Sequence, residues 1–314
     1  MSNTVVVVMI SLLSLHRSLR CFKTRTGDVW LTSKVEEVVL GGSVSSNWLF
    51  AYRVVMFLFA TIFTLVHLCI KGLKPMRFYT KWNFYSLTLY FGLVVWETLW
   101  FRRRKASDTE HPFGMGAYLA IVLYHINMTT VWTVDVGTWG VLYPLYRKHP
   151  EALNQFLLNF FSYVEHIVNL FMMIGELMMN RMPFFDHLRG TVGLWVVSYV
   201  FYGFFYRLRT GLWVYPVSKT TEIWSPIAYA CIFTGHLLAF RLFHLFHRVK
   251  TNLLLESSSM TTIYGHPSCS ILMLAARQSL QAPTHPVKGQ HETVFQKTVR
   301  QQQTEFLMNF IAME

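Results

Sequence analysis

Between Asn159 and Asn180 the chain sets polar residues at helical spacing inside an apolar segment. Residues 156–179 supply the ~20 positions that a bilayer-crossing helix needs. Within this stretch Asn159, Ser162, His166, Asn169, Met173, Glu176 and Asn180 follow one another at steps of three and four. At ~100° per residue they fall in a sector roughly 100° wide. Six of the seven are polar, and Glu165 stands just outside the edge of the sector. Hydrocarbon satisfies no hydrogen bond, so the stripe has to face other helices or a wet cavity. An ionisable His and Glu at membrane depth form a functional-site hypothesis by default.

The rest of the composition agrees with a membrane setting. Of the 314 residues 53% are hydrophobic and only 14% charged, with a mean hydropathy of +0.34. That balance argues against a disordered chain and against a nucleic-acid binder, which needs a dense basic face. The net charge of +12 then reads as loop charge beside anionic headgroups. The four cysteines, Cys21, Cys69, Cys231 and Cys269, have neither metal nor redox spacing.

The fold expected is all-α, a polytopic bundle of six transmembrane helices. The spans fall at about 48–70, 78–101, 113–136, 156–179, 190–206 and 224–246, with Arg53 interrupting the first and Glu97 inside the second. Residues 1–47 read as an N-terminal cytosolic or interfacial segment, because the apolar run from Val5 to Leu15 is too short to span. Its basic residues follow it, the wrong order for a signal peptide. Residues 48–250 form the transmembrane domain, and 251–314, rich in Ser, Thr, Gln and His, read as a mostly disordered tail. Six spans place both termini on one side. Lys and Arg number thirteen there against nine opposite, a bias toward cytosolic termini. The setting is then an integral protein of the endomembrane system or the plasma membrane.

No nucleophile elbow, P-loop, dinucleotide fingerprint or His-Glu-x-x-His pair is present. His244 and His247 form a single His-x-x-His, for which a basic helix end reaching toward headgroups is the plainer reading. The Asn127-Met128-Thr129 sequon lies inside the third span, where glycosylation cannot reach it.

Four segments in order carry a family likeness. They are Arg77-Phe78-Tyr79-Thr80-Lys81-Trp82-Asn83-Phe84, then Val131-Trp132 followed by Tyr143-Pro144. Next come His166 with Glu176 and Pro183 beyond it, and last Thr210-Gly211-Leu212-Trp213-Val214-Tyr215-Pro216. Together they resemble the androgen-induced protein family of six-span membrane proteins and its rolling stone relatives. The resemblance implies a hydrolase of fatty acid esters of hydroxy fatty acids, with catalytic Thr80 and His166. It makes Trp213, Tyr215 and Pro216 a family loop. Where that family has an acidic residue six positions after the Val-Trp tryptophan, this chain has Thr138.

The residues fit such chemistry. A neutral imidazole can take the proton of a Thr hydroxyl during attack on an ester. Asn83, Asn169 and Glu176 are the supporting polar core, Asn169 or Glu176 orienting His166 or donating to a developing oxyanion. The expected partners are membrane lipids and fatty acyl esters, with no nucleic acid, no metal and no organic cofactor. The alternatives are a non-enzymatic membrane protein of rolling stone type, acting in signalling or cell fusion, or a small transporter. Inertly, Thr80 would cap a helix and His166 would be interhelical glue.

Overall fold

The computed structural model describes residues 2–106, 113–148, 150–215 and 218–264. Among these the elements are helices: α1 (Asn3–Thr32), α2 (Val35–Val39), α3 (Ser46–Lys71), α4 (Tyr79–Ala106), α5 (Met115–Val136), α6 (Tyr143–Tyr146), α7 (Pro150–Phe156), α8 (Phe160–Tyr163), α9 (Asn169–Met179), α10 (Arg189–Thr210) and α11 (Ser225–Tyr264). Two π-helical segments make continuous rods. Gly137–Leu142 carries α5 into α6, and Val164–Val168 carries α8 into α9. The described residues hold no strand, only an isolated bridge between Gly41 and Asn180. The all-α expectation therefore holds.

Five helices are long and apolar enough to cross a membrane: Asn3–Phe22 of α1, α3, the α5–α6 rod, Asp186–Thr210 and Ser225–Leu253 of α11. The count of six is not reproduced, and the membership differs in an instructive way. The second and fourth expected spans, α4 and the α8–α9 rod, are absent from the five. Their polar residues lower the hydropathy, and those residues point into the protein: Lys81, Asn83, Ser86, Glu97, Ser162, His166, Asn169 and Glu176 are all buried. The expected stripe is thus an inner face.

The helix that joins the five unexpectedly is α1. Polar residues do not end it, because Ser11 Oγ donates to the Val7 carbonyl at 2.9 Å within the same helix. It runs antiparallel to α10. Val7 packs with Val196, Val197 and Val200, while Ser18 lies against Gly190 and Gly193. A Cβ on Gly190 would stand 2.7 Å from the Ser18 carbonyl oxygen, so only glycine admits this approach. Close backbone contact through small residues is how apolar helices pair where no hydrophobic drive exists. At its other end Asn3 Nδ2 donates to the Glu222 carbonyl at 3.0 Å.

Contacts sort the helix ends into two sets. At one, Arg102 donates to Asn47 (2.9 Å), Ser43 to the Met178 carbonyl (2.5 Å) and Lys250 to the Asn180 carbonyl (2.8 Å). At the other, the Tyr79 N–H donates to the Tyr215 phenol (3.0 Å), Arg77 to Tyr206 (3.0 Å), and His67 stacks on Phe161. We call these the basic end and the aromatic end. Successive long helices run alternately between them, and Asn3 sits with the aromatic end. On the helix pattern expected from the sequence residue 3 would have lain with Lys250. α11 continues past residue 250 to Tyr264, and 265–314 of the expected tail lies outside the described residues.

Polarity is inverted relative to a protein dissolved in water. Trp48, Ile62, Phe171, Leu208, Ile227 and Leu238 are exposed, while Arg53, His125, Asn127, Thr129, Glu176 and Asn180 are sealed from solvent. That distribution, with the five long apolar helices, makes the chain a multipass membrane-embedded protein. Some polar groups in the spans are satisfied on their own helix. Asn127, Thr129, Thr130 and Thr133 each donate to the carbonyl four residues back. Other groups reach across to neighbouring helices, and two clusters of them are the candidate sites.

Candidate functional site

The first interhelical cluster joins α3, α4 and α9 near the basic end. Arg53 Nε donates to both Glu176 oxygens (3.1 and 3.2 Å), and its Nη2 donates to Oε1 at 2.5 Å. Its remaining nitrogen, Nη1, reaches the Val38 carbonyl at 2.7 Å. Tyr90 and Asn180 donate to Glu176 Oε1 at 2.9 and 3.1 Å. Lys250 closes the edge on the Leu177 carbonyl at 2.7 Å. Arg53 and Glu176 are both fully buried. Guanidinium and carboxylate mate directly, Oε1 taking most of the donors and Oε2 only Nε. Glu176 is therefore locked in an ion pair with Arg53 and has no bond to His166 among the described residues.

The second cluster lies toward the aromatic end and is built around the two π segments. Helix α8 begins with Asn159 accepting from the Ser162 N–H at 3.0 Å, and His166 follows ~10 Å further along at 1.5 Å per residue. The π geometry matters here. A π turn advances each residue by less than the usual ~100°, so the consecutive Glu165 and His166 both face inward. Glu165 pairs with Lys81 of α4, and Lys81 Nζ also donates to His67 Nδ1 at 2.7 Å.

His166 faces the other π segment. Thr138 Oγ1 stands 3.1 Å from its Nδ1 and 3.5 Å from its Nε2, and Asp135 Oδ1 lies 3.4 Å from Nδ1. The Trp139 indole N–H donates to the His166 carbonyl at 3.2 Å, fixing the two π segments together. Asp135, Thr138, His166 and Asn169 are all buried, and the Asn169 side chain meets Asp135. Thr138 thus lies nearer Nδ1 than Nε2, and Asp135 faces the same Nδ1.

Thr80 is placed elsewhere. One residue before Lys81, it points about 100° away from that side chain around α4 and meets the Tyr215 phenol. It makes no hydrogen bond to His166 among the described residues. The Tyr215 phenol also accepts from the Tyr79 N–H, which joins the first and fourth resemblance segments. Burial raises the pKa of that phenol, with the Tyr79 and Thr80 hydrogen bonds acting in the opposite direction. Asn83 accepts from the Trp195 indole at 2.9 Å and ties α4 to α10. Trp213 packs edge-on to Phe204, with Arg207 over its ring. Pro216 lies outside the described residues.

Sequence reasoning thus reached His166 and Asn169 and missed Asp135, His67 and Lys81. A signal existed: an Asp inside an apolar span is itself a site hypothesis, and Asp135 with Thr138 has the i,i+3 spacing of one helix face. Compared with known proteins, the chain matches no family model, no curated protein and no solved structure.

Proposed function

We propose that this chain is an intramembrane hydrolase of lipid esters, with His166 as its general base. The observation that carries the reading is a buried imidazole whose ring nitrogens meet a threonine hydroxyl at 3.1 and 3.5 Å and a carboxylate at 3.4 Å. Base, orienting carboxylate and hydroxyl within reach is the arrangement that activates a weak oxygen nucleophile. Helical packing needs only local bonds of the kind Thr129 and Thr130 make.

The surroundings suit an apolar acyl substrate. Val136, Val141, Tyr163 and Ile167, on the same segments as Thr138 and His166, face outward toward lipid. A chain in the bilayer therefore meets the seam between the two π segments laterally. Lys81, paired with Glu165, lies in the same cluster as His166. The family resemblance supports the same reaction class and extends it to fatty acid esters of hydroxy fatty acids.

The basic residues bear on orientation. Arg17 and Arg20 lie at the far end of α1, so the excess of Lys and Arg remains at the basic end even though α1 joins the bundle. We place that end in the cytosol, with Asn3 and the π seam toward the lumen or exterior.

The test is turnover of a fatty acid ester of a hydroxy fatty acid by purified full-length protein, normalised to monodisperse folded molecules. Wild type turns over and His166→Ala does not. A wild type inactive across a panel of lipid esters would remove the hydrolase reading.

A further inference from the structure

We infer that Thr138 is the hydroxyl His166 deprotonates, so that the acyl group passes through an ester on Thr138 and not on Thr80. This rests on the hydrolase reading. Four observations carry it. The first is reach: Thr138 Oγ1 contacts both ring nitrogens, whereas Thr80 is engaged by Tyr215.

The second is what the neighbouring threonines do. Along the α5–α6 rod Thr129, Thr130 and Thr133 all donate to carbonyls of their own helix. Thr138 is the threonine of this rod whose hydroxyl bonds leave it, and both go to His166. The π segment Gly137–Leu142 shifts the register just there. Such insertions frequently mark functional sites.

The third is the carboxylate: Asp135 Oδ1 stands 3.4 Å from the same ring, where it would stabilise the imidazolium formed when His166 takes the threonine proton. The fourth is access. Val136 and Val141 bracket Thr138 in sequence and are half-exposed, which puts the hydroxyl one layer beneath the lipid-facing surface.

The chemistry closes on these groups and one water. Thr138 Oγ1 attacks the ester carbonyl carbon while its proton passes to the His166 ring. The tetrahedral oxyanion collapses, the bond to the alcohol oxygen breaks, and the departing alcohol takes the proton from His166. Water then adds to the acyl carbon, giving a proton to His166. Collapse frees the fatty acid, and Thr138 recovers its proton from His166. One ester and one water become one acid and one alcohol.

The experiment labels full-length protein in detergent with an alkyl fluorophosphonate and locates the adduct by peptide mass spectrometry. The expected adduct is on Thr138. Thr138→Val, which keeps shape and removes the hydroxyl, should lose labelling by ~100-fold or more, and Thr138→Ser should retain it. An adduct on Thr80 that still depends on His166 overturns this assignment and leaves the hydrolase standing. Full labelling of folded Thr138→Val overturns it as well. A folded wild type that neither labels nor turns over any lipid ester overturns both.

Discussion

The two interhelical clusters use similar residues to opposite ends. Around Arg53 and Glu176 every strong donor meets an acceptor, two of the partners are backbone carbonyls, and the pair is sealed from solvent. Around His166 the contacts are side chain to side chain at 3.1 to 3.5 Å, and they rest on two π segments. A carboxylate locked in an ion pair with arginine does not exchange protons readily. A looser group of a His, an Asp and a Thr, each able to change protonation or bonding, does. Burial and charge alone therefore do not mark a site in such a bundle. Incomplete saturation does.

The largest effect expected is loss of the fold from one-sided damage to the saturated pair. Arg53→Leu leaves the Glu176 carboxylate buried with two neutral donors, a destabilisation of about 3–5 kcal/mol. Arg53→Met combined with Glu176→Leu removes both charges and should regain much of that loss, read as melting temperature in detergent. If the single variant melts with wild type, the pair is not a lock and the contrast fails.

Two buried histidines sharpen the contrast. His125 Nδ1 donates to the Ile121 carbonyl (2.7 Å) and its Nε2 accepts from the Phe185 N–H (2.8 Å), so both nitrogens are committed to backbone. His166 has side-chain partners. His166→Ala should cut turnover by ~10²–10⁴ with little change in melting, as removal of a general base does. His125→Ala should do the reverse, lowering stability by roughly 1–3 kcal/mol while each folded molecule turns over normally. Equal behaviour of the two variants would make His166 another packing residue.

A third, smaller effect concerns α1, which belongs to neither cluster. Gly193→Leu would press on Ser18 and separate α1 from α10, at about 1–3 kcal/mol. The clusters, carried by other helices, should survive, so activity per folded molecule stays near wild type. In microsomes, a glycosylation acceptor inserted ahead of Asn3 should be modified and one inserted after Lys250 should not. Modification of the second alone would turn the bundle over and bring the π seam to the cytosol.

Much of this was legible in the chain. The inward stripe of the α8–α9 rod follows from 3.6-residue spacing, and Ser162, Asn169, Met173, Glu176 and Asn180 are all buried as that spacing requires. The pairing was not legible. Arg53 and Glu176 are 123 residues apart, and nothing local in either segment names the other. The π segments were hidden for another reason. Hydrophobic periodicity assumes a constant turn, and one residue of slippage brings Glu165 onto the face that a regular helix reserves for His166. The span status of α1 was obscured by reading the Val5–Leu15 run by itself, whereas the apolar stretch extends through Ser11 and Ser18 to Phe22. The serines cost little because one bonds its own helix and the other packs on glycine.

The smallest effect expected is at Thr80. Its hydroxyl meets a phenol and no base, so Thr80→Ala removes one neutral hydrogen bond, worth about 0.5–1.5 kcal/mol. Fluorophosphonate labelling and turnover should stay within about twofold of wild type, since such a loss far from the reacting atoms leaves the transition state untouched. Tyr215→Phe should behave alike, with a slightly larger loss of stability, because the phenol also holds the Tyr79 N–H at the start of α4. The comparison depends on this small number. Should Thr80→Ala abolish labelling while Tyr215→Phe raises it, the phenol would be a restraint on a nucleophile at Thr80. The reactive centre would then lie at the aromatic end, and the Thr138–His166 contact would be one more tie between helices.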